Sequence, residues 1–190
     1  MSKCTFDESK IESFPKLNNC INSELQKNLN LQELFGKCHQ EADEVLGEMK
    51  KKYLFLGTGD FRNVFKLNKD CIVKIPANAA GAQSNLLEDD AWHIIKRTKN
   101  KKIIRHFVPV ISTTRNGSHL IMAKVLTNAE TTQSHEELES DKQFLFKTLE
   151  EHKIRCMDIV TDNIGYTKKG RPIIFDYGYG IQCKIGNNWI

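Results

Sequence analysis

Residues 53–76 read YLFLGTGDFRNVFKLNKDCIVKIP. Three short apolar runs, Tyr53–Leu56, Asn63–Leu67 and Cys71–Ile75, are separated by Gly57-Thr58-Gly59 and Asn68-Lys69-Asp70. Glycine, asparagine and aspartate adopt the backbone conformations that tight reversals need, so both separators read as turns. The stretch is therefore expected to be an antiparallel meander of three strands, ended by Pro76 and the turn residues 78–81. Residues 82–97, AQSNLLEDDAWHIIKR, then place Leu86, Leu87, Ala91, Ile94 and Ile95 on one face of a helix. Phe107–Ser112 and Ser118–Val125 read as two further strands, with Arg115-Asn116-Gly117 as their hairpin turn.

Beyond this meander, a polar linker runs from Thr127 to Ser134. Residues 135–155 read as a second long helix with Leu138, Phe144, Leu145, Thr148 and Leu149 as its spine. The stretch DIVTDNIGYTKKGRPIIFDYGYG reads as loop, strand, turn at Lys168-Lys169-Gly170, strand and a glycine-rich exit. Before the meander, residues 1–50 are polar and helical in pattern, with Leu25, Leu29, Leu34, Val45, Leu46 and Met49 at near-helical spacing. Five strands interrupted by one helix, then a helix and a hairpin, give an α+β chain. A doubly wound parallel sheet would need regular alternation.

The 190 residues suffice for one domain, or one domain and a short appendage, without disulfide help. Hydrophobic residues make up 39% and charged residues 27%, an ordinary globular balance. No apolar run approaches the roughly 20 residues of a membrane helix. The start, MSKCTFDESKIESF, lacks a basic segment followed by an apolar one, so no secretory signal is expected. Cys4, Cys20, Cys38, Cys71, Cys156 and Cys183 are widely spaced, without a CxxC pair. They are expected to be free thiols in a reducing cytoplasm, with no structural zinc. The net charge of +4 is too mild to imply a nucleic-acid partner. The basic run Lys96, Arg97, Lys99, Lys101, Lys102 and Arg105 reads first as a solvated helix end favoured by the helix dipole. Docking of an acidic partner or nucleic acid is its second reading.

Three groups of residues carry chemistry. The glycines of Gly57-Thr58-Gly59 either serve the turn or let backbone N–H groups approach a polyphosphate. Lys74 lies in an apolar strand, on the face of Ile72 and opposite Val73 and Ile75. Such a lysine either snorkels to water from an edge strand or needs a partner carboxylate and a ligand anion. Glu88 on the following helix can supply the carboxylate, or be a solvated residue beside Asp89 and Asp90. Last come Asp158, Asn163 and Asp176 in DIVTDN and IIFDYG. An amide and an acid are hard oxygen ligands suited to Mg²⁺, and a second acid is left to accept a proton. Each residue alone also fits a turn or cap.

Together these residues resemble the protein-kinase-like superfamily, in order and spacing, over residues 53–180. GTGDFRNV resembles the Gly-rich loop, with Arg62 where the family has its third glycine. IVKI resembles the strand-three lysine motif and Glu88 the helix-C glutamate. Met122 falls near the gatekeeper position. CMDIVTDN resembles the catalytic loop and DYG the DFG motif. The resemblance implies an N-lobe of five antiparallel strands plus helix C over residues 51–125. It implies an abbreviated C-lobe over 126–190 and a helical extension over 1–50. It implies ATP, Mg²⁺ and transfer of the γ-phosphate to a protein Ser or Thr. Asp158 is then the base, Lys74 and Glu88 its catalytic partners, and Asn163 and Asp176 the metal ligands. Nucleotide contacts are implied for Gly57, Thr58, Gly59, Phe61, Arg62, Val64, Lys74, Met122 and Lys124.

The departures matter. Cys156-Met157 replaces the family's His-Arg before the base, so control by activation-loop phosphate is not expected. Val160 stands where Ser/Thr kinases carry a lysine. Arg62 is free to touch a phosphate in the missing glycine's place. Only fourteen residues follow Asp176, leaving no room for an activation segment or a large helical lobe. Apolar surface near Phe144, Ile159 and Ile164 is therefore expected to need cover, from residues 1–50 or from an activating or docking partner. Compact kinase-like proteins of phages and bacterial effectors are the nearest analogy, acting in the host cytoplasm. A protein substrate is expected; a membrane and a nucleic acid are not. A second function class is a catalytically weak, kinase-shaped module that binds nucleotide or docks a partner. A third is a structural or nucleic-acid-binding protein whose polar residues coincide by chance.

Overall fold

The computed structural model describes residues 43–44, 46–127, 130–157, 159–185 and 188–189. The extension up to residue 42 and Asp158 lie outside the described residues. The chain divides into two compact units, residues 1–86 with 110–124, and residues 87–109 with 125–190.

The first unit is built on one sheet of β1 (Leu54–Thr58), β2 (Arg62–Lys66), β3 (Cys71–Pro76), β4 (Val110–Thr113) and β5 (Leu120–Ala123). Its order is β1-β2-β3-β5-β4, antiparallel throughout, so β3 is the central strand. Strand alternation splits the side chains cleanly. Phe55, Phe65, Val73 and Ile121 are cross-strand partners in one row. Their face carries the core of Met49, Phe65, Cys71, Val73, Ile75, Ala82 and Ile121, with Leu46, Tyr53 and Leu67 packed on it. The described end of the N-terminal extension, helical over residues 46–52, therefore covers this sheet. The expectation that residues 1–50 cover the short second lobe falls mostly outside the described residues. Within that lobe Ile164 and Ile159 are buried, while Phe144 is 48% exposed.

Cys71 corrects the expectation of free thiols. It is fully buried and disulfide-bonded, to a partner outside the described side chains. Cys156 is free and buried.

Helix α1 (Ala79–Arg97) begins in the first unit and ends in the second. The second unit continues with α2 (Lys101–Ile104), α3 (His135–Glu151), β6 (Ile154–Cys156), β7 (Ile164–Tyr166), β8 (Pro172–Ile174), β9 (Ile181–Ile185) and β10 (Asn188–Trp189). Ser134 and Glu137 form a reciprocal capping box that starts α3. The helix stops four residues short of the expected end, because Lys153 turns into the left-handed region at φ 59. Ile154–Cys156 is then released to pair with β9, and the glycine-rich exit becomes strand. Three-residue strands leave too little alternation to be read from sequence. Leu145 and Leu149 bury the inner side of α3, and the Tyr166 hydroxyl donates to Asp141 Oδ2 at 2.8 Å. Burial, then the Asp141 carboxylate, pushes that hydroxyl far above its ordinary range.

Phe107, expected as the start of a strand in the sheet, instead bridges Ile174 in parallel. Around it Ile174 N–H donates to His106 O, and Val108 N–H to Ile174 O. The His106 ring is 1% exposed. Its Nδ1–H donates to Pro172 O at 3.3 Å, and its Nε2 accepts from Arg105 Nε at 3.4 Å. These two bonds fix a neutral imidazole. Burial lowers its pKa below 6.5, and Arg105 and Arg171 push the same way against the Pro172 bond. An unfolded chain protonates this histidine at a higher pH than the native one. Its stabilising contribution is thus complete above 6.5 and declines as pH falls toward the folded value. Urea denaturation is expected to show wild type losing more stability between about pH 7.5 and pH 5 than His106→Gln does. An identical loss in both would contradict this assignment.

Candidate functional site

In the first unit, the register of the sheet gathers several residues singled out in the sequence. Gly57 pairs with Val64, and Val64 with Lys74, so the three form one cross-strand row. That row lies on the face opposite Phe65 and Val73. Lys74 is 3% exposed and sits in the central strand, which removes the edge-strand snorkelling reading. A lysine this buried stays charged only with a partner anion, and it has an electrostatic or hydrogen-bonded contact. Met122, on the adjoining strand opposite Ile72, is fully buried. Lys124 follows β5, where its N–H donates to Asp70 O.

The turn between β1 and β2 closes with Gly59 N–H donating to Arg62 O at 2.8 Å. Thr58 Oγ1 donates to Gly59 O, and Thr58 and Phe61 are exposed. Neither Gly57 nor Gly59 takes a positive φ. A Cβ at Gly57 would meet no atom within 4 Å, and one at Gly59 only Arg62 O at 3.9 Å. Neither the turn nor local packing requires these two glycines. Open space above a glycine backbone is what a phosphate needs for close approach. Gly81 is the contrast. A Cβ there would run into Phe61 O and Pro76. The first turn of α1 therefore packs directly on the tip of the β1–β2 turn, whose Phe61 O also accepts from Ala77 N–H.

Arg62, expected at a phosphate, is held at the end of the turn by a buried side chain of α1. It is 8% exposed, and its Nη1 donates to Asn85 Oδ1 at 3.3 Å. Asn85 is fully buried in α1 and donates through Nδ2 to Gly117 O at 2.8 Å and Lys74 O at 3.4 Å. Sequence reading missed Asn85. The available signal was an asparagine inside a helix, where it is a poor former, between helix-favouring neighbours.

In the second unit, Glu88 is fully buried, unlike its exposed neighbour Asp90. It is not a solvated helix residue, and it too has a partner. Glu88 and Asp89 lie close enough to Tyr177 to act on its hydroxyl. Burial first, then those carboxylates, raises the Tyr177 pKa well above 10.0. The neutral hydroxyl donates to Val108 O at 2.6 Å, and the ring packs edge-on against Phe107 at 5.3 Å. Tyr177 and Val108 are therefore the anchor of the DYG segment, which sequence reading also missed.

The β7–β8 hairpin brings Asn163 and Asp176 together. Ile164 pairs with Ile174, and one step outward Phe175 N–H donates to Asn163 O at 2.9 Å. Asn163, closing the 3-10 turn Thr161–Asn163, directs its Nδ2 toward Asp176 O at 3.5 Å. Asp176 takes φ 58, a left-handed conformation in which aspartate and asparagine are enriched. Since Nδ2 is used toward Asp176, the other end of the Asn163 amide is an oxygen. An amide oxygen and a carboxylate are each ligand types suited to Mg²⁺, which keeps waters and takes phosphate oxygens besides. Among the described residues no group of three His, Cys, Asp or Glu could hold a metal. The donor set thus fits a hard ion shared with a phosphate, not a fully protein-ligated one. Val160 is 45% exposed and Met157 77% exposed on either side of the undescribed Asp158.

Among the described residues no helix is long and apolar enough to cross a membrane. No protein-family model and no curated protein matches the chain. Among the solved structures similar to it are two at low identity. One is the Rio2 kinase–ADP/Mg²⁺–phosphoaspartate complex from Chaetomium thermophilum, at 15% identity and a TM-score of 0.44, covering 73% of this chain and 51% of that one. The other is monomeric WbdD, at 16% identity and a TM-score of 0.42, covering 62% of this chain and 32% of that one. The chain spans about half the length of the first and a third of the second. The strand pairing itself defines an α+β fold, a five-stranded antiparallel sheet with flanking helices.

Proposed function

We propose that the chain is an ATP- and Mg²⁺-dependent kinase-like phosphotransferase, moving the γ-phosphate to a protein Ser or Thr, its own included. The observation that carries this reading is the meeting of Asn163 and Asp176 at the β7–β8 hairpin, where Asn163 Nδ2 lies 3.5 Å from the Asp176 backbone oxygen, since an amide and an acid are both ligand types for Mg²⁺. The Gly57–Val64–Lys74 row supports it from the sheet, with open space at Gly57 and a deeply buried lysine. In this reading Lys74 holds the α- and β-phosphates, and Glu88 keeps the ammonium oriented. Gly57, Thr58, Gly59 and Phe61 cover the phosphates, while Val64, Met122 and Lys124 border the base. Asn163 and Asp176 hold the Mg²⁺. Asp158 accepts the proton of the attacking hydroxyl. A Mg²⁺ held by Asn163 and Asp176 would supply positive charge to offset that of the phosphates. Arg62 stands at the end of the β1–β2 turn in the missing glycine's place, one nitrogen of its guanidinium bonded to Asn85 and its charge available to a phosphate.

The test is transfer of labelled phosphate from ATP to the chain itself and to a general protein acceptor. Asp158→Asn is expected to lower the rate by about a hundredfold or more, without loss of stability. Equal incorporation by wild type and Asp158→Asn would remove the reading. The docking-module alternative has its own observations, the bond of Arg62 to Asn85 and the apolar Val160 at the lysine position. It expects nucleotide binding with no transfer.

A further inference from the structure

The basic run over residues 96–105 carries six lysines and arginines and no acid, and the reading above makes no use of it. The second unit adds two observations that the sequence did not offer. The first is a further basic segment. Lys168, Lys169 and Arg171 lie in the β7–β8 turn and are exposed, as is Arg105. Arg105 and Arg171 both act on the His106 ring, which places the two basic segments beside one another. Ile103 is the buried side of α2, and Lys101, Lys102 and Arg105 are exposed.

The second observation is an aromatic ring in the same place. Phe144 of α3 sits edge-on against His106, at 5.6 Å between centroids and 70° between planes. It is 48% exposed, a large apolar surface left in water against the histidine on which both arginines act. Because His106 is held neutral by Pro172 and Arg105, it adds no charge to the arginines on either side.

We propose that this face, built from α2, the β7–β8 turn and Phe144, binds single-stranded nucleic acid. Cations tracking a phosphate backbone, with an exposed aromatic ring on which a base stacks, are the two parts of such a site. A duplex offers the phosphates but keeps its bases stacked on each other, leaving Phe144 unused. An acidic protein segment would likewise meet the charges and not the ring. The proposed nucleotide site uses none of these residues.

The experiment is fluorescence anisotropy of the full chain with a labelled oligo-dT of about 20 nucleotides at about 50 mM salt. Binding is expected to weaken with salt, with a log–log slope of about −0.7 per phosphate neutralised. The double variant Lys101→Glu/Lys102→Glu is expected to bind at least about tenfold more weakly and with a shallower slope. Phe144→Leu, which keeps apolar volume and removes the ring, is expected to bind roughly five- to a hundredfold more weakly at an unchanged slope. Phe144→Tyr keeps the ring and is expected to bind as wild type does, which leaves a readout if the leucine variant is unstable. Absence of binding would overturn the proposal. So would equal affinity for a duplex of the same length together with no effect of Phe144→Leu, which is bare polyanion attraction. Tighter binding of poly-glutamate than of the oligonucleotide would assign the face to an acidic protein instead.

Discussion

Asp176→Asn is expected to abolish the Mg²⁺-dependent part of nucleotide binding while leaving the fold intact. The residue is held at φ 58, where most side chains meet steric cost and asparagine, like aspartate, does not. The substitution therefore keeps the backbone and removes only the anionic ligand. Phosphotransfer should fall by about a hundredfold or more, the scale of losing one electrostatic stabiliser at a transition state. The check is a Mg²⁺ titration of ATP affinity by calorimetry, with a thermal melt of the free variant beside it. Asp176→Ala is the instructive companion. It loses the same ligand but adds left-handed strain of about 1–2 kcal/mol, so its free form should also melt lower. If Asp176→Asn bound Mg-ATP as tightly as wild type, the metal role would pass to other residues.

The second large effect is on stability, at Tyr177. The ring is fully buried against Phe107, and its hydroxyl satisfies Val108 O. Removing a buried ring of this size costs about 3–5 kcal/mol. Tyr177→Ala is therefore expected to lower the melting point by roughly 10 °C, taking about 2–4 °C per kcal/mol for a chain of this length. Tyr177→Phe keeps the packing and leaves one buried carbonyl without its donor, for a loss of about 1–3 kcal/mol. Equal melting points for wild type and Tyr177→Ala would mean that the DYG segment is not anchored as described.

The strands of the first sheet were legible because two-residue alternation and turn glycines act locally. Gly57, Val64 and Lys74 were each visible as residues, but only the register between three strands places them in one row. Register is a property of pairing, and no single strand encodes it. The buried state of Lys74 was not legible either, since it depends on β3 lying at the centre of the sheet. Asn163 and Asp176 could be nominated from their types and their separation along the chain. Their meeting depends on the β7–β8 hairpin, whose three-residue strands carry little pattern of their own. The Arg62 bond to Asn85 was not legible, because that partner comes from a helix more than twenty positions away. The long helix was drawn too far because Lys153, which ends it in a left-handed turn, is an ordinary helix former by type. A free thiol at Cys71 is what composition implies, and a disulfide needs a second cysteine that only the fold brings near.

The measurement that tests the central claim most directly is the melting point of the wild-type chain with Mg-ATP, with ATP and a chelator, and with Mg²⁺ alone. A ligand that binds only the native state stabilises it by mass action, by about 2.7 kcal/mol at a hundred times its dissociation constant. A nucleotide site completed by a metal on Asn163 and Asp176 predicts a clear rise with Mg-ATP, a much smaller one with chelated ATP, and none with Mg²⁺ alone. No rise at millimolar Mg-ATP, or an equal rise with the chelator present, would contradict it.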